Sequence, residues 1–583
     1  MNEFFQRLKQ RKLVQWAIAY VAAAFALLQG IDIVAGQFGW PEGVRRGITL
    51  GLVVGFLVTL VLAWYHGERG AQRVTGTELV IIALVLALGG GLLWRFTTVR
   101  LQDKSLATPN HHKTELAVTI PEKSIAVLPF VNMSADKNEE YLSDGMSEEL
   151  INVLAKVKGL RVPGRSSSFA FKGRIDEDIF RKVGEQLHVN SVLEGSVRKA
   201  GDKLRVTAQL INVADGFHLW SDSYDGDMKD ILAMESDVAQ RVVRALKVQL
   251  GVDEARALTN KPTENAEAYR LYLLGRYHFG KFARVGWTDA IQYFEQALRI
   301  DPGYALAYCG LADTYGWAGG QTLPGREAWA KEMEFAQKAL ALDPKLAEAH
   351  LAMATAFFCV LDPHGSEKEL DRAVKLNPNL ALAYDQYGWT FGQMGRHDES
   401  ISAEKRALEL DPLNSLFNTD LAFFFYWARR YDDAIAQIRK TLELDANAAV
   451  AHHCLGWCNI WKRNLTEATE EFQKAVTLDD LPWYKASLGY SYAALRDRAK
   501  AEQVIRDLDE LAKKQYVSPA LRASVYLGLG EKGKALDWIE KAYEDRDPML
   551  WWKTDQLYDS VRNEPRFLAL MEKVDRIKAG AKP

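Results

Sequence analysis

Apolar and polar residues alternate with helical spacing through the C-terminal half of the chain, from about Ala268 to Pro548. The apolar positions recur three or four residues apart, as in Asp398–Pro412, which predicts amphipathic helices. The pattern returns every 34 residues, in the unit ends Asn377-Pro378, Asp411-Pro412, Asp445-Ala446 and Asp479-Asp480 and in the small residues Ala354, Gly388, Ala422 and Gly456. A small residue lets a second helix pack closely, so we predict stacked helix pairs.

A unit of 34 residues with small residues in two facing helices and an Asp-Pro at its end resembles the tetratricopeptide repeat. With Gly388 as the eighth residue of a unit, three aromatic residues occupy positions that this family fills with large apolar groups: Tyr384, Tyr387 and Phe391. The resemblance implies an all-α solenoid that binds proteins or peptides.

The period extends from residue 262 to residue 548 and gives about eight units. Asp301-Pro302 and Asp343-Pro344 lie 42 residues apart, which indicates an insertion of eight residues within Gly319–Trp329. Residues 549–583 follow the last unit, and we expect a capping helix there, near Asn563–Lys578.

Three predominantly apolar runs precede the repeats: Leu13–Ala35, Gly47–Tyr65 and Glu78–Phe96. Each is close to the ~20 residues needed to cross a bilayer, so we predict three transmembrane helices and a membrane anchor over residues 1–96. A cleavable signal peptide is the alternative for the first run, but the run is long and two more follow it.

The orientation of this anchor depends on lysine and arginine, whose numbers on the two sides are nearly even. Four basic residues precede the first run and favour a cytoplasmic N-terminus. Three crossings then predict a bacterial inner-membrane protein with everything after Phe96 in the periplasm.

Residues 97–122 are polar and predict a linker, and the period changes after Lys123. Strands are predicted at Ser124–Phe130, Leu160–Lys172, Ser191–Lys199, Lys203–Val213 and Phe217–Tyr224, and helices at Glu139–Val157, Ile179–Leu187 and Ile231–Leu250. This order predicts an open mixed sheet covered by helices over residues 123–251.

Four short segments of this module resemble the TolB-like N-terminal domain: Ile125–Phe130, Tyr141–Leu150, Val192–Val197 and Leu219–Asp225. That family implies an α/β module, often found beside tetratricopeptide repeats in bacterial membrane proteins, some of which carry a nucleotide cyclase. The complete fold class predicted is therefore multidomain, with three transmembrane helices, a TolB-like α/β module and an all-α repeat solenoid.

Composition and motifs point away from catalysis and from nucleic acid. The net charge of the 583 residues is -3, and there is no glycine-rich phosphate loop, zinc-protease motif or nucleophile elbow. Ser166-Ser-Ser168 has no partnered histidine, and Asp144 and Glu148 suit an exposed helix start. We expect no enzyme activity and no cofactor.

Metal binding is also disfavoured. Cys454 and Cys458 lie one helical turn apart beside His452-His453, but Gly456 between them marks a packed helix, where buried cysteine acts as a small apolar residue. His111-His112 has no further ligand nearby.

The candidate site is a ladder of aromatic residues. In the repeat family, positions two, five, nine and twelve of each first helix face the concave surface. Six residues fall at such positions: Trp389, Phe423, Tyr426, Trp457, Trp483 and Tyr490. They predict a groove for an extended or helical peptide. The alternative is that these rings pack between neighbouring helices.

The function predicted is a non-enzymatic inner-membrane scaffold or adaptor whose repeats bind a partner protein or peptide, with the bilayer as a second partner. The alternative is a signalling receptor whose TolB-like module senses a ligand and relays it to a separate cyclase or regulator.

Overall fold

The computed structural model describes residues 121, 123–174, 178–259, 261–281, 284–319, 323–545, 547 and 555–578. Within these residues an α/β module is followed by a long series of paired helices.

A five-stranded mixed sheet organises the α/β module. Its strands are β1 (Ile125–Val127), β2 (Val131–Asn132), β3 (Ser191–Ala200), β4 (Lys203–Asn212) and β5 (His218–Asp227). The order is β1-β3-β4-β5; β1 and β2 pair with β3 in parallel, and the other pairs are antiparallel. The hairpin predicted from the alternation is present, and Gly201 provides the left-handed residue of its turn (φ 60°).

Five helices accompany this sheet: α1 (Glu140–Ala155), α2 (Arg165–Phe169), α3 (Ile179–Leu187), α4 (Ile231–Ala245) and α5 (Val252–Thr259). Ile125 and Val127 pack with α1 and α4, whereas Ala126 between them packs with Val183 and Leu187 of α3. Alternate residues of a strand point to opposite faces, so β1 is buried on both.

Paired helices continue the chain: α6 (Ala266–Phe279) with α7 (Arg284–Ile300), α8 (Ala305–Ala318) with α9 (Gly325–Leu342), α10 (Ala347–Cys359) with α11 (Pro363–Leu376), α12 (Ala381–Gln393) with α13 (His397–Leu410), α14 (Ser415–Trp427) with α15 (Tyr431–Leu444), α16 (Ala449–Trp461) with α17 (Leu465–Leu478), α18 (Pro482–Ala494) with α19 (Arg498–Ala512), and α20 (Pro519–Gly528) with α21 (Lys532–Glu544). A last helix, α22 (Pro565–Lys578), packs against α21.

The small residue of each unit lies where two helices touch. A Cβ atom on Gly456 would lie 2.5 Å from Cε1 of Phe472, on the second helix of the same pair. At Gly388 the same atom would lie 2.5 Å from Cε2 of Phe424, on the first helix of the next pair. Real Cβ atoms do not approach other carbons so closely, so the period follows from this packing.

The acidic or amide residue at the end of each unit has a role of its own. Oδ1 of Asp343, Asn377 and Asp445 accepts a hydrogen bond from the backbone nitrogen two residues later, at 2.9, 3.1 and 2.9 Å. This short loop turns the chain into the next first helix. The carboxylate of Asp411 instead binds the α/β module.

The α/β module lies along three of these turns, spaced one repeat apart. Lys156 pairs with Glu348 at 3.3 Å. Nδ2 of Asn379 donates to the carbonyl oxygens of Ala155 and Leu160 at 2.9 and 3.1 Å. The third contact joins Oδ1 of Asp411 to the backbone nitrogen of Ser167 at 2.7 Å. Since the apolar core around α1 and α4 also includes residues of α6, α7 and α8, the module and the first repeats form one packed body.

The strand predicted over Leu160–Lys172 is wrong. Only an isolated bridge joins Arg161 to Ser124, and α2 follows. The reason is a contact with a distant part of the chain. The backbone nitrogen of Gly164 donates to the carbonyl oxygen of Leu410 at 3.0 Å, so this segment hydrogen-bonds to a repeat turn instead of forming a strand of the sheet.

The range of the predicted insertion overlaps the first turn of α9, which has 18 residues where α13 has 14. One additional helical turn therefore takes up part of it.

The predicted fold class is wrong in its membrane part. No helix among the described residues is both long enough and apolar enough to cross a membrane. Even α9, with 18 residues, carries charged side chains along its length and buries only one side. The architecture found is a mostly helical solenoid with an α/β module, and three transmembrane helices are not supported. The runs behind that prediction, Leu13–Ala35, Gly47–Tyr65 and Glu78–Phe96, lie outside the described residues, as does His111-His112. The predicted inner-membrane location rested on the same runs.

Candidate partner-binding surface

The six aromatic residues predicted from the repeat register lie on four successive first helices, α12, α14, α16 and α18. Phe423, Tyr426 and Trp457 are 8%, 3% and 8% exposed. Trp389, Trp483 and Tyr490 are partly exposed. Some rings therefore pack between helices, as the alternative proposed, while others keep accessible surface. Their role in binding stays a prediction.

Ring contacts join these residues into one array that runs across the four helices. Trp389 and Phe423 each contact Trp427, with ring centroids 5.6 and 5.4 Å apart. Phe423 also contacts His453, whose ring centroid is 4.6 Å from that of Trp483. Trp427 and His453, which the sequence did not single out as groove residues, therefore connect the predicted ladder.

Trp457 joins Tyr490 at the far end of the array, with ring centroids 5.0 Å apart. Its indole Nε1 donates to Nε2 of His453 at 3.0 Å, and the hydroxyl of Ser487 lies 2.8 Å from the same nitrogen. Because Nε2 accepts a hydrogen bond from the indole N–H group, this nitrogen carries no proton and His453 is neutral. Burial accordingly lowers the pKa of His453 to about 3.

Carboxyl groups lie buried beside Trp389. Burial raises the pKa of Asp385 to about 7, and interactions with Glu404, Asp420 and the Trp389 indole partly offset this effect. Burial, together with the charge of Asp385, raises the pKa values of Glu404 and Asp420 well above the ordinary range. We therefore expect protons to be shared among these groups at neutral pH.

Glu404 is unusual within the repeat array. At its position in the unit, the other second helices from α7 to α19 place apolar side chains: Phe294, Ala336, Leu370, Ile438, Phe472 and Ile505. Glu404 is fully buried, and neither of its carboxyl oxygens has a hydrogen-bond partner of ordinary geometry among the described residues.

The chain's own C-terminal segment, Asp555–Asp559, lies on part of this surface. Oδ2 of Asp555 accepts from Nε1 of Trp427 at 2.9 Å, and Oδ1 accepts from the hydroxyl of Tyr426 at 3.3 Å. Nε2 of Gln556 donates to the carbonyl oxygen of Tyr426 at 3.2 Å. Tyr426 also accepts from Nε1 of Trp461 at 3.0 Å. A segment of the chain itself is thus hydrogen-bonded to Tyr426 and Trp427.

The remaining candidates for chemistry have structural partners. Asp144 pairs with Lys172 at 2.7 Å, and Glu148 pairs with Arg276 at 2.7 Å, so both are buried in ion pairs rather than exposed at a helix start. Ser167 Oγ accepts from the backbone nitrogen of Leu413 at 2.9 Å. The cysteines Cys309, Cys359, Cys454 and Cys458 are buried thiols. In the described part of the chain, no group of three or more histidine, cysteine or acidic residues could hold a metal ion.

Comparison with known proteins identifies the repeat. The family model of the tetratricopeptide repeat matches residues 381–412, which are α12, α13 and the turn after them. A protein of Rhizobium meliloti (strain 1021) described as "Putative adenylate cyclase 3" is 39% identical over 212 residues, which are 36% of this chain and 36% of that protein. The chain thus spans about a third of the length of this relative.

Solved structures of helical repeat proteins also resemble this chain. A thermophilic TPR protein of Thermus thermophilus is 19% identical, with a TM-score of 0.30, over 33% of this chain and 99% of that one. The Cut9–Hcn1 hetero-tetramer of the APC/C gives 18% identity and a TM-score of 0.38 over 59% and 63%. YrrB, a TPR protein with an unusual peptide-binding site, gives 19% and 0.23 over 32% and 92%. The family match, together with the recurring helix pairs, shows that the chain contains tetratricopeptide repeats, which commonly mediate protein–protein interaction.

Proposed function

We propose that the protein is a non-enzymatic scaffold or adaptor whose repeats bind an extended segment of a partner protein on the inner face of α12, α14, α16 and α18. The observation that carries this proposal is the C-terminal segment, which is seated on Tyr426 and Trp427 through hydrogen bonds to its Asp555 side chain. A surface that holds one peptide segment in this way has the chemistry to hold another.

The rest of the array extends this surface along the repeats. Aromatic rings offer a large apolar area with a hydrogen-bonding group at one end, which suits recognition of a peptide. Trp483 is partly exposed, and its indole Nε1 has no acceptor among the described residues. Because this nitrogen is itself buried, a bound segment would contact the exposed part of the ring and not the N–H group.

Selection of binding peptides tests this proposal. The full chain is presented to a displayed library of random peptides, and the affinities of the enriched sequences are measured for the protein and its variants. Trp483→Ala with Tyr490→Ala should weaken binding by about tenfold or more, because exposed aromatic residues of an interface contribute strongly to affinity. Trp317→Ala is the matched control, since Trp317 is an exposed tryptophan on α8, at the other end of the repeats.

Failure would take either of two forms. If no peptide is enriched over a protein without repeats, the binding role is wrong. If the enriched peptides bind the double variant as tightly as the parent while its helical circular dichroism is unchanged, the inner face is not the binding surface.

A second candidate function is favoured by the likeness to a protein described as an adenylate cyclase. The α/β module, with its resemblance to TolB-like domains, would then sense a small ligand and pass the change to a separate cyclase or regulator. Its packing against three repeat turns would carry such a change into the repeats.

Thermal shift of the full chain separates the two candidates. A ligand of the module should raise the melting temperature of the parent and of the Trp483→Ala and Tyr490→Ala variant equally. A ligand of the repeats should stabilise only the parent. A metabolite library that gives no shift would remove the sensor function.

A further inference from the structure

Three arginines recur at the turn between the first and second helix of consecutive repeats. Arg429, Arg463 and Arg496 follow one another at intervals of 34 and 33 residues, and all are exposed. Each has a left-handed backbone, with φ of 61°, 67° and 65°. Their side chains therefore start from equivalent points of α14–α15, α16–α17 and α18–α19, and form a basic row along the repeats.

The C-terminal segment uses only the first of these arginines. Nη2 of Arg429 pairs with the carboxylate of Asp559 at 3.1 Å. Arg463 and Arg496 make no side-chain hydrogen bond and no ion pair with any described residue. The charges of Arg463 and of the segment both act on Tyr490: burial raises the pKa of this tyrosine, the charge of Arg463 lowers it, and the charges of Asp555 and Asp559 raise it. The row and the segment therefore adjoin the aromatic array.

Between its two carboxylates, the C-terminal segment packs on an apolar surface. Leu557 and Tyr558 are buried in the same apolar cluster as Ala520, Ala523 and Leu527 of α20. Asp555 and Asp559 flank the 3-10 helix Gln556–Tyr558; Asp555 lies beside the Trp427 indole, and Asp559 pairs with Arg429. The pattern held is thus a carboxylate, an apolar centre and a second carboxylate.

We propose that Tyr426, Trp427 and the row of Arg429, Arg463 and Arg496 form a site for an acidic segment of the partner, and that the C-terminal segment occupies this site until the partner displaces it. This inference rests on the proposed function and names the chemistry of the partner. The partner's segment would begin where the chain's own segment lies. It would continue past this segment to Arg463 and Arg496, which pair with no carboxylate among the described residues.

The spacing of the arginines sets the spacing of the partner's acidic residues. Packed helices lie about 8–10 Å apart, and an extended chain advances about 3.3 Å per residue. A segment that follows the row therefore places an acidic residue about every three positions.

The probe is a labelled peptide with the sequence of residues 555–559 followed by Gly-Ser-Asp-Gly-Ser-Asp, and its neutral counterpart has asparagine at every aspartate. Binding to the full chain is measured by fluorescence anisotropy. Asp555→Asn with Asp559→Asn weakens the internal segment, so this opened variant should bind the acidic peptide about tenfold more tightly than the parent. The neutral peptide should bind more weakly, and added salt should reduce the affinity for the acidic peptide.

Arginine variants of the opened chain test the row. Arg463→Gln should weaken binding of the acidic peptide about threefold to tenfold. Arg439→Gln removes an exposed arginine of α15 that lies outside the row, and it should leave the affinity unchanged. Equal affinities of the parent and the opened variant, equal affinities for the acidic and neutral peptides, or no effect of Arg463→Gln would each overturn the proposal.

Amide exchange on the unaltered chain gives a test that does not depend on the folding of any variant. The backbone amides of Leu557 and Tyr558 should exchange faster when the acidic peptide is added, because displacement exposes them. Unchanged exchange at saturating peptide would contradict displacement. If acidic peptides fail while library peptides still bind through Trp483 and Tyr490, this inference is wrong and the proposed function stands.

Discussion

Glu148 and Glu149 are neighbours on α1 and should affect stability in opposite directions. Both lie where the α/β module packs against the first repeat, and both are 7% exposed. Burial raises the pKa of Glu149 from 4.5 to about 7, and the charge of Glu148 adds to this effect. Burial acts in the same direction on Glu148, but the guanidinium groups of Arg276 and Arg165 outweigh it and lower the pKa.

The magnitude for Glu149 follows from its two pKa values. Below pH 4.5 the carboxyl is protonated in the folded and the unfolded chain, so its titration contributes nothing. Above pH 4.5 only the unfolded chain loses the proton, and stability falls until the pH passes about 7. A difference of about 2.5 pH units at about 1.4 kcal/mol per unit makes this loss about 3–4 kcal/mol.

Glu149→Gln keeps the shape of the side chain and removes the titration. The variant should match the parent near pH 4 and exceed its unfolding free energy by about 3–4 kcal/mol near pH 8. Its amide oxygen can still accept from Nδ2 of Asn152 and the hydroxyl of Tyr272, which lie 3.3 and 3.4 Å from Oε1 in the parent.

Glu148→Gln is the matched control on the adjacent residue. Its lowered pKa stabilises the folded chain above the unfolded value of 4.5, and this stabilisation disappears as the pH falls through the folded value. The variant should therefore be less stable than the parent at pH 8 and approach it in acid. Urea unfolding followed by circular dichroism across this pH range measures both differences. A Glu149→Gln variant less stable than the parent at pH 8 would refute the account of this interface.

Three further predictions concern the repeats. Asp411→Ala should lower stability by about 1–3 kcal/mol and loosen the α/β module, measured by amide exchange at the turn that it binds, whereas Asp445→Ala, at the equivalent exposed position, should cost less. Gly456→Ala should cost about 1–3 kcal/mol in thermal unfolding, because its Cβ has no room, whereas Gly533→Ala, with no atom within 4 Å, should be neutral or slightly stabilising. Stability that depends on neutral His453 is present above pH 6.5 and lost as the pH falls toward 3, so His453→Asn should reduce the difference in unfolding free energy between pH 7 and pH 5 by about 2 kcal/mol.

The repeat was predictable because its cause is local. Gly456 and its equivalents are small since the paired helix leaves no room for Cβ, and this constraint repeats with every unit. Departures from the usual residues are compensated within one pair: Asn418 accepts from Gln437 at 2.6 Å, and His452 lies 2.6 Å from a carboxyl oxygen of Glu471. Such substitutions change the family pattern without changing the fold.

Contacts between distant parts of the chain were not predictable from local patterns. The sequence placed Asp144 and Glu148 on an exposed helix start, but packing against Lys172 and Arg276 buries them. Leu160–Lys172 alternates like a strand, yet its backbone bonds with a repeat turn more than 240 residues away.

The candidate site also has one part that local patterns predict and another part that they do not. The register of the repeats placed Trp389, Phe423, Trp457 and Tyr490 on successive first helices, because register is a local property. The contact between Asp555 and Trp427 joins residues 128 positions apart and depends on the path of the repeats between them. No spacing in the sequence predicts it.

Photo-cross-linking of a selected binding peptide tests the central claim most directly. The peptide carries a benzophenone group, and mass spectrometry locates its cross-links on the full chain. Binding on the inner face predicts cross-links to α12, α14, α16 and α18, lost when unlabelled peptide competes. Cross-links concentrated on the second helices α13, α15 and α17, or on the α/β module, would contradict the claim that the first helices of the repeats hold the partner.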